Sequence, residues 1–136
     1  MDRIHQKRKR ESKTLKICKK TKTKALWGRL MTIKKYNKLV RDKIPEIIYN
    51  TGSKPKVYIA NEIEYSEHLK KKLQEEVQEF LEDPCVQELA DIQEVILSIA
   101  TMNGWDELLE RERVAKNINR GGFAKRFILV EVDDDQ

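Results

Sequence analysis

The sequence predicts a mainly α-helical protein built around a central antiparallel helix pair. Two long segments, one from Glu64 or Ser66 to Glu82 and one over 84–103, have apolar residues at helical spacing. Asp83-Pro84 supplies a tight turn between them, with aspartate as a helix cap and proline at the first helical position. A third, polar helix is expected over 106–119, after Gly104.

Shorter elements flank this pair. Residues 36–52 have a helical apolar pattern, which Pro45 divides into a turn and a short helix and which Gly52 ends. Segments 56–60 and 127–132 are rich in β-branched and aromatic residues. They are predicted to be strands that pair in a small two-stranded β element.

The charge of the chain divides it into two parts. Its 136 residues contain 28 Lys and Arg against 23 Asp and Glu, a net charge of +5. Residues 1–30 contain 12 basic and 2 acidic residues, whereas residues 31–136 contain 16 and 21, so the two parts carry +10 and −5. We therefore expect a basic, disordered extension over 1–30 and one domain over 31–136. Met31 is a plausible natural start.

Composition also excludes several classes of protein. No apolar run approaches the roughly 20 residues of a membrane-spanning helix. The two cysteines, Cys18 and Cys85, are too few for a disulfide-rich scaffold. The expectation is a cytoplasmic protein without a membrane partner.

The informative feature is a set of carboxylates at core positions. Positions 69, 73, 76 and 80 form a helical stripe with 4-3-4 spacing, and Glu76 occupies one place in it. Glu88 does the same in the stripe 88, 92, 95 and 99. Glu79 and Asp91 follow three residues after each and lie on the shoulders of the same faces.

Buried carboxylates are costly unless they are paired or bound to a metal ion. A divalent ion such as Mg²⁺ prefers carboxylate oxygens and would relieve the repulsion between four converging acids. Salt bridges from lysines are a competing explanation. The pattern by itself leaves both open.

The motifs that carry these acids resemble a known family. Glu75-Glu76-Val77-Gln78-Glu79 and Glu88-Leu89-Ala90-Asp91 are similar to the EExxE…ExxD signature of the MazG-like nucleotide pyrophosphohydrolases. The segments 37–45 and 120–123 look like the ends of their phosphoribosyl-ATP pyrophosphohydrolase-like branch. The resemblance covers about residues 33–130. The spacer 80–87 is shorter than in many members of the family.

The resemblance implies a MazG-like helical bundle and hydrolysis of a nucleoside triphosphate or related nucleotide between its α and β phosphates, giving a monophosphate and pyrophosphate. Such a reaction would serve the housekeeping of the nucleotide pool. It implies Mg²⁺, with Mn²⁺ as an alternative, held by Glu76, Glu79, Glu88 and Asp91. Glu75 or Glu79 would accept a proton from the attacking water.

Basic residues near the two terminal motifs are the expected phosphate-binding groups, because guanidinium and ammonium groups bind phosphate oxygens. They are Lys38, Arg41, Lys43, Lys116, Arg120 and Lys125. The apolar helix faces exceed what one hairpin can bury, and family members pair helices across subunits, so a homodimer or homotetramer is expected. Two other functions stay open: nucleic-acid binding by the basic arm, and a catalytically inactive helical interaction module.

Overall fold

The computed structural model describes residues 32–134, and the predictions for residues 1–30 and for Met31 as the start lie outside them. The described part is helical, which confirms the predicted fold class. Its elements are α1 (Ile44–Asn50), α2 (Glu62–Glu82), α3 (Val86–Met102) and α4 (Asp106–Arg120). The chain divides into two compact units, the first ending at Val95 and the second beginning at Ile96.

α2 begins at Glu62, slightly before the predicted start, because Asn61 caps it. The Asn61 side chain accepts a hydrogen bond of 2.9 Å from the backbone N–H of Glu64. This satisfies one of the donors that the first turn of a helix leaves without a partner. Glu62 and Glu64 place negative charge in that first turn, where the helix dipole favours it.

The turn between α2 and α3 differs in detail from the prediction. Asp83 is the C-cap of α2, and its N–H donates to the carbonyl of Glu79 at 3.0 Å. A residue before proline is driven out of the helical conformation, and Asp83 has φ −140° and ψ 78°. α3 begins at Val86, two residues after the predicted start at Pro84, and the Cys85 carbonyl accepts the N–H of Leu89 at 3.3 Å.

The ends of the shorter elements agree with the sequence. Pro45 stands in the first turn of α1, which a hydrogen-bonded turn from Arg41 to Ile44 precedes. Gly104, with φ +68°, follows α3 in a left-handed conformation that glycine adopts without steric strain.

The predicted two-stranded β element is not formed. Within residues 32–134 there is no strand, and segments 56–60 and 127–132 have no regular secondary structure. Their apolar side chains are exposed, Ile59 to 98%. A β ribbon of two strands is marginal unless it packs on a core, and these side chains are not buried against one. High β propensity alone was therefore a misleading signal here.

Small apolar cores are accompanied by considerable exposed apolar surface. In the first unit Leu69, Cys85 and Val95 are buried, while Leu81 and Leu89 are half-exposed or more. In the second unit Ala100 is buried. Among the described residues, no helix is both long and apolar enough to cross a membrane.

The Asn61 cap predicts a measurable contribution to stability. Asn61→Ala should lower the free energy of unfolding by about 1 kcal/mol, because the N–H of Glu64 loses its acceptor. Asn61→Asp keeps an acceptor oxygen and should stay near the wild type. Urea unfolding followed by circular dichroism measures both variants, and an equal loss in the two would contradict the capping role.

Candidate metal centre

Three glutamates of the first unit converge between its long helices. Glu76 and Glu79 lie on α2, and Glu88 lies in the first turn of α3. Each offers one carboxylate oxygen, and these oxygens all lie within 4.8 Å of one another. Glu76 and Glu88 are 5% and 4% exposed, and Glu79 is half-buried. The placement of Glu76 and Glu88 at core positions is thus confirmed.

The local structure explains why these side chains meet. Residues three apart share a face of a helix, which brings Glu76 and Glu79 together on α2. The short turn at 83–85 then reverses the chain, so the start of α3 faces the end of α2. The length of this turn therefore determines that Glu88 is the residue that joins the pair from α3.

A lysine that sequence reasoning did not single out contacts the group. The ammonium of Lys72 lies 2.8 Å from Oε1 of Glu76 and 3.5 Å from Oε1 of Glu75. Burial acts to lower the pKa of Lys72, but the hydrogen bond and charge of Glu76, with a smaller effect of Glu75, outweigh it and raise that pKa. The sequence signal for this contact was the i, i+4 spacing of Lys72 and Glu76. Lys72 is the last of three consecutive lysines, so the spacing did not single it out.

Glu75, expected as a proton acceptor, points to a different partner. Its Oε1 accepts a hydrogen bond of 2.7 Å from the ammonium of Lys38. This bond, assisted by Lys72, lowers the pKa of the Glu75 carboxyl, although partial burial acts in the opposite direction. At neutral pH Glu75 is an ionised carboxylate, and the ammonium groups of Lys38 and Lys72 lie beside it.

Asp91, expected as a metal ligand, is not one of the three grouped carboxylates. Its Oδ1 accepts a hydrogen bond of 2.5 Å from the guanidinium of Arg41. Two of the expected phosphate-binding groups, Lys38 and Arg41, thus bind acids that belong to the two acidic sequence motifs, 75–79 and 88–91. The segment that contains them lies against α2 and α3, through contacts between residues 37 to 50 positions apart.

The other expected phosphate-binding residues lie away from these contacts or in the second unit. Lys43 is exposed and immediately precedes α1. In the second unit Lys116 and Arg120 belong to the second half of α4. Lys125 follows α4, with its ammonium 6.0 Å from the centre of the Phe127 ring.

The donor set fits a hard divalent cation. All three grouped residues offer carboxylate oxygens, without histidine or cysteine, which favours Mg²⁺ or Mn²⁺ over zinc. Oxygens on opposite sides of an octahedral Mg²⁺ are about 4.2 Å apart, close to the 4.8 Å limit within which these oxygens lie. An ion placed between the three glutamates would therefore be within reach of all three side chains.

Comparison with known proteins adds no further identification: no family model, no curated protein and no solved structure matches the chain.

The Lys38–Glu75 pair predicts a pH dependence of stability. Glu75→Gln should lower the free energy of unfolding at pH 7 by up to about 1 kcal/mol, because it removes the charge that Lys38 binds. A carboxyl whose pKa is lowered by folding stabilises the protein above its unfolded pKa, for which the ordinary value is 4.5. That contribution is lost as the pH falls through the lowered pKa.

Urea unfolding at neutral and acidic pH measures this effect. The difference between wild type and Glu75→Gln should disappear in acid. Glu67→Gln, at an exposed position of the same helix, is the control and should differ little from wild type at either pH. A deficit of Glu75→Gln that persists unchanged at about pH 2 would show that charge pairing is not its cause.

Proposed function

We propose that the protein is a Mg²⁺-dependent nucleotide pyrophosphohydrolase, which cleaves a nucleoside triphosphate or related nucleotide between its α and β phosphates. The observation that carries the proposal is the grouping of Glu76, Glu79 and Glu88, whose carboxylate oxygens lie within 4.8 Å of one another. Two of these carboxylates are buried. Buried acids in such proximity repel one another unless positive charge is present.

In this proposal the three grouped glutamates hold the metal ion, and Asp91 is the fourth ligand that the family resemblance implies. The ion, when bound, neutralises phosphate charge and makes a water molecule more acidic. Mn²⁺ can replace Mg²⁺ in such an oxygen site. For Asp91 to join the ligands, its carboxylate must exchange the guanidinium of Arg41 for the ion.

The basic residues of the same unit have a role in binding phosphate. Lys38 and Arg41 are now bound to Glu75 and Asp91, and phosphate oxygens are alternative acceptors for both side chains. Lys43 is a third cation in this segment. Lys116, Arg120 and Lys125 are assigned to phosphate binding by the resemblance of residues 120–123 to the terminal family motif.

Two carboxylates are available to accept the proton of the attacking water. The hydrogen bond from Lys38 lowers the pKa of Glu75 below its ordinary value, so its carboxylate can orient a water molecule but is a weak base. Glu79 is half-buried within the acidic group itself. The general base must lie within hydrogen-bond distance of the attacking water in the substrate complex. Glu75 and Glu79 are both candidates under this requirement.

A second copy of the chain is part of the proposal. Val77 and Leu81 on α2 and Leu89 on α3 are exposed beside the helices that hold the acids. Exposed apolar residues on long helices are typical of faces that pack against another subunit. A homodimer or homotetramer would cover it.

Removal of single carboxylates tests the proposed function. Glu76→Gln and Glu88→Gln should each reduce turnover by at least about 100-fold, because a ligand charge is lost while the side-chain volume is kept. The measurement is release of pyrophosphate from a panel of standard and modified nucleoside triphosphates, with Mg²⁺, with Mn²⁺ and with chelator.

Glu67→Gln, which removes a carboxylate from an exposed position of the same helix, should keep wild-type turnover. Circular dichroism must show that the two inactive variants remain helical. Wild-type turnover in either variant would refute the metal-ligand assignment. Absence of pyrophosphate release from every nucleotide would favour an inactive interaction module. Salt-sensitive nucleic-acid binding that is lost on deletion of residues 1–30 would favour nucleic-acid binding by the basic arm.

A further inference from the structure

Lys72 occupies an unusual position for a lysine. Its ammonium is 2.8 Å from the carboxylate of Glu76, a residue that is itself buried within the acidic group. The Lys72 side chain is only 20% exposed. Lys72 and Glu76 lie one helical turn apart on α2, the spacing at which a lysine reaches a carboxylate on the same helix face.

This ammonium supplies positive charge where three carboxylates gather. Glu76, Glu79 and Glu88 together would carry three negative charges in a partly buried space. Water screens such charges poorly, so their mutual repulsion is stronger than at the surface. Lys72, whose ammonium lies 2.8 Å from Glu76, offsets part of that repulsion.

The same contact opposes a divalent ion. An ion held by Glu76 would share that carboxylate with the ammonium, which is 2.8 Å from Oε1. Two cations on one carboxylate repel each other strongly at low exposure. The arrival of a metal ion therefore favours departure of the ammonium from Glu76.

Lys72 has a second acceptor to which it can turn. Oε1 of Glu75 is 3.5 Å from its ammonium and lies outside the grouped carboxylates. A small movement of the flexible lysine side chain would exchange Glu76 for Glu75. The exchange keeps the ammonium paired, so it costs much less than exposure of a bare charge would.

We propose that Lys72 is an internal counter-cation that occupies the acidic site in place of the metal and is displaced from Glu76 when a divalent ion binds. This inference rests on the proposed function for the identity of the site. Lys72 acts through Glu76 and is a positioning residue, not a catalytic one. It stabilises the metal-free protein and weakens its affinity for the metal.

Mn²⁺ binding to the full-length protein tests the inference, with isothermal titration calorimetry and thermal unfolding in chelator and in saturating Mn²⁺. Lys72→Met should bind Mn²⁺ roughly tenfold more tightly than wild type, the factor that corresponds to loss of one competing charge-assisted hydrogen bond. Its Tm should fall in chelator, and saturating Mn²⁺ should restore most of the difference. A merely structural role for Lys72 would lower the Tm equally in both conditions.

Two matched variants serve as controls. Lys71→Met removes the same charge from the adjacent, exposed position and should leave Mn²⁺ affinity within about twofold of wild type. Lys72→Arg keeps a cation and should also stay close to wild type. Lys72→Gln replaces Lys72→Met where the latter does not fold in chelator.

The outcomes separate this inference from the proposed function. Mn²⁺ binding by wild type, lost in Glu76→Gln, together with tighter binding by Lys72→Met, supports both. Equal or weaker binding by Lys72→Met overturns the inference and leaves the proposed function intact. Absence of Mn²⁺ binding by wild type overturns both, and failure of Lys72→Met and Lys72→Gln to fold even in saturating Mn²⁺ overturns the inference alone.

Discussion

Burial of the carboxylates Glu76 and Glu88 is the constraint on which the first unit depends. Each occupies a place in an apolar helical stripe where a leucine or valine would lower the energy of the fold. A charged carboxylate in such a place is stable only with a cation or strong hydrogen-bond donors beside it. Lys72 meets this need for Glu76. The grouping of both acids with Glu79 is the observation that supports the proposed metal site.

The same need for charge compensation organises the chain around the helix pair. The segment before α1 has no regular structure, yet Lys38 and Arg41 attach it to acids of α2 and α3. Two ion pairs thus connect this segment to the helix pair. In the proposed function, both cations would exchange these carboxylates for phosphate oxygens of the substrate.

The outcome for the helices shows what kind of signal a single sequence carries. Helical periodicity and the Asp83-Pro84 turn predict the long helix pair. The conformation of the exposed stretches around it depends on residues far away in the chain. The segment 127–132 has the composition of a strand but no strand partner within the described part of the chain. A strand requires hydrogen bonds from a second segment, so composition cannot establish it, whereas the hydrogen bonds of a helix are all local.

For the site, the sequence by itself determined that carboxylates interrupt two apolar stripes, because the periodicity of a helix places each residue on a known face. It therefore predicted that Glu76, Glu79, Glu88 and Asp91 share one region, and the structure groups the first three. Only the tertiary structure decided the partners of two other acids, Lys38 for Glu75 and Arg41 for Asp91, whereas Lys72 reaches Glu76 through local i, i+4 spacing on α2. These two pairs join residues 37 and 50 positions apart. Side chains of lysine and arginine are long and flexible, so such partners follow from distances in the folded chain.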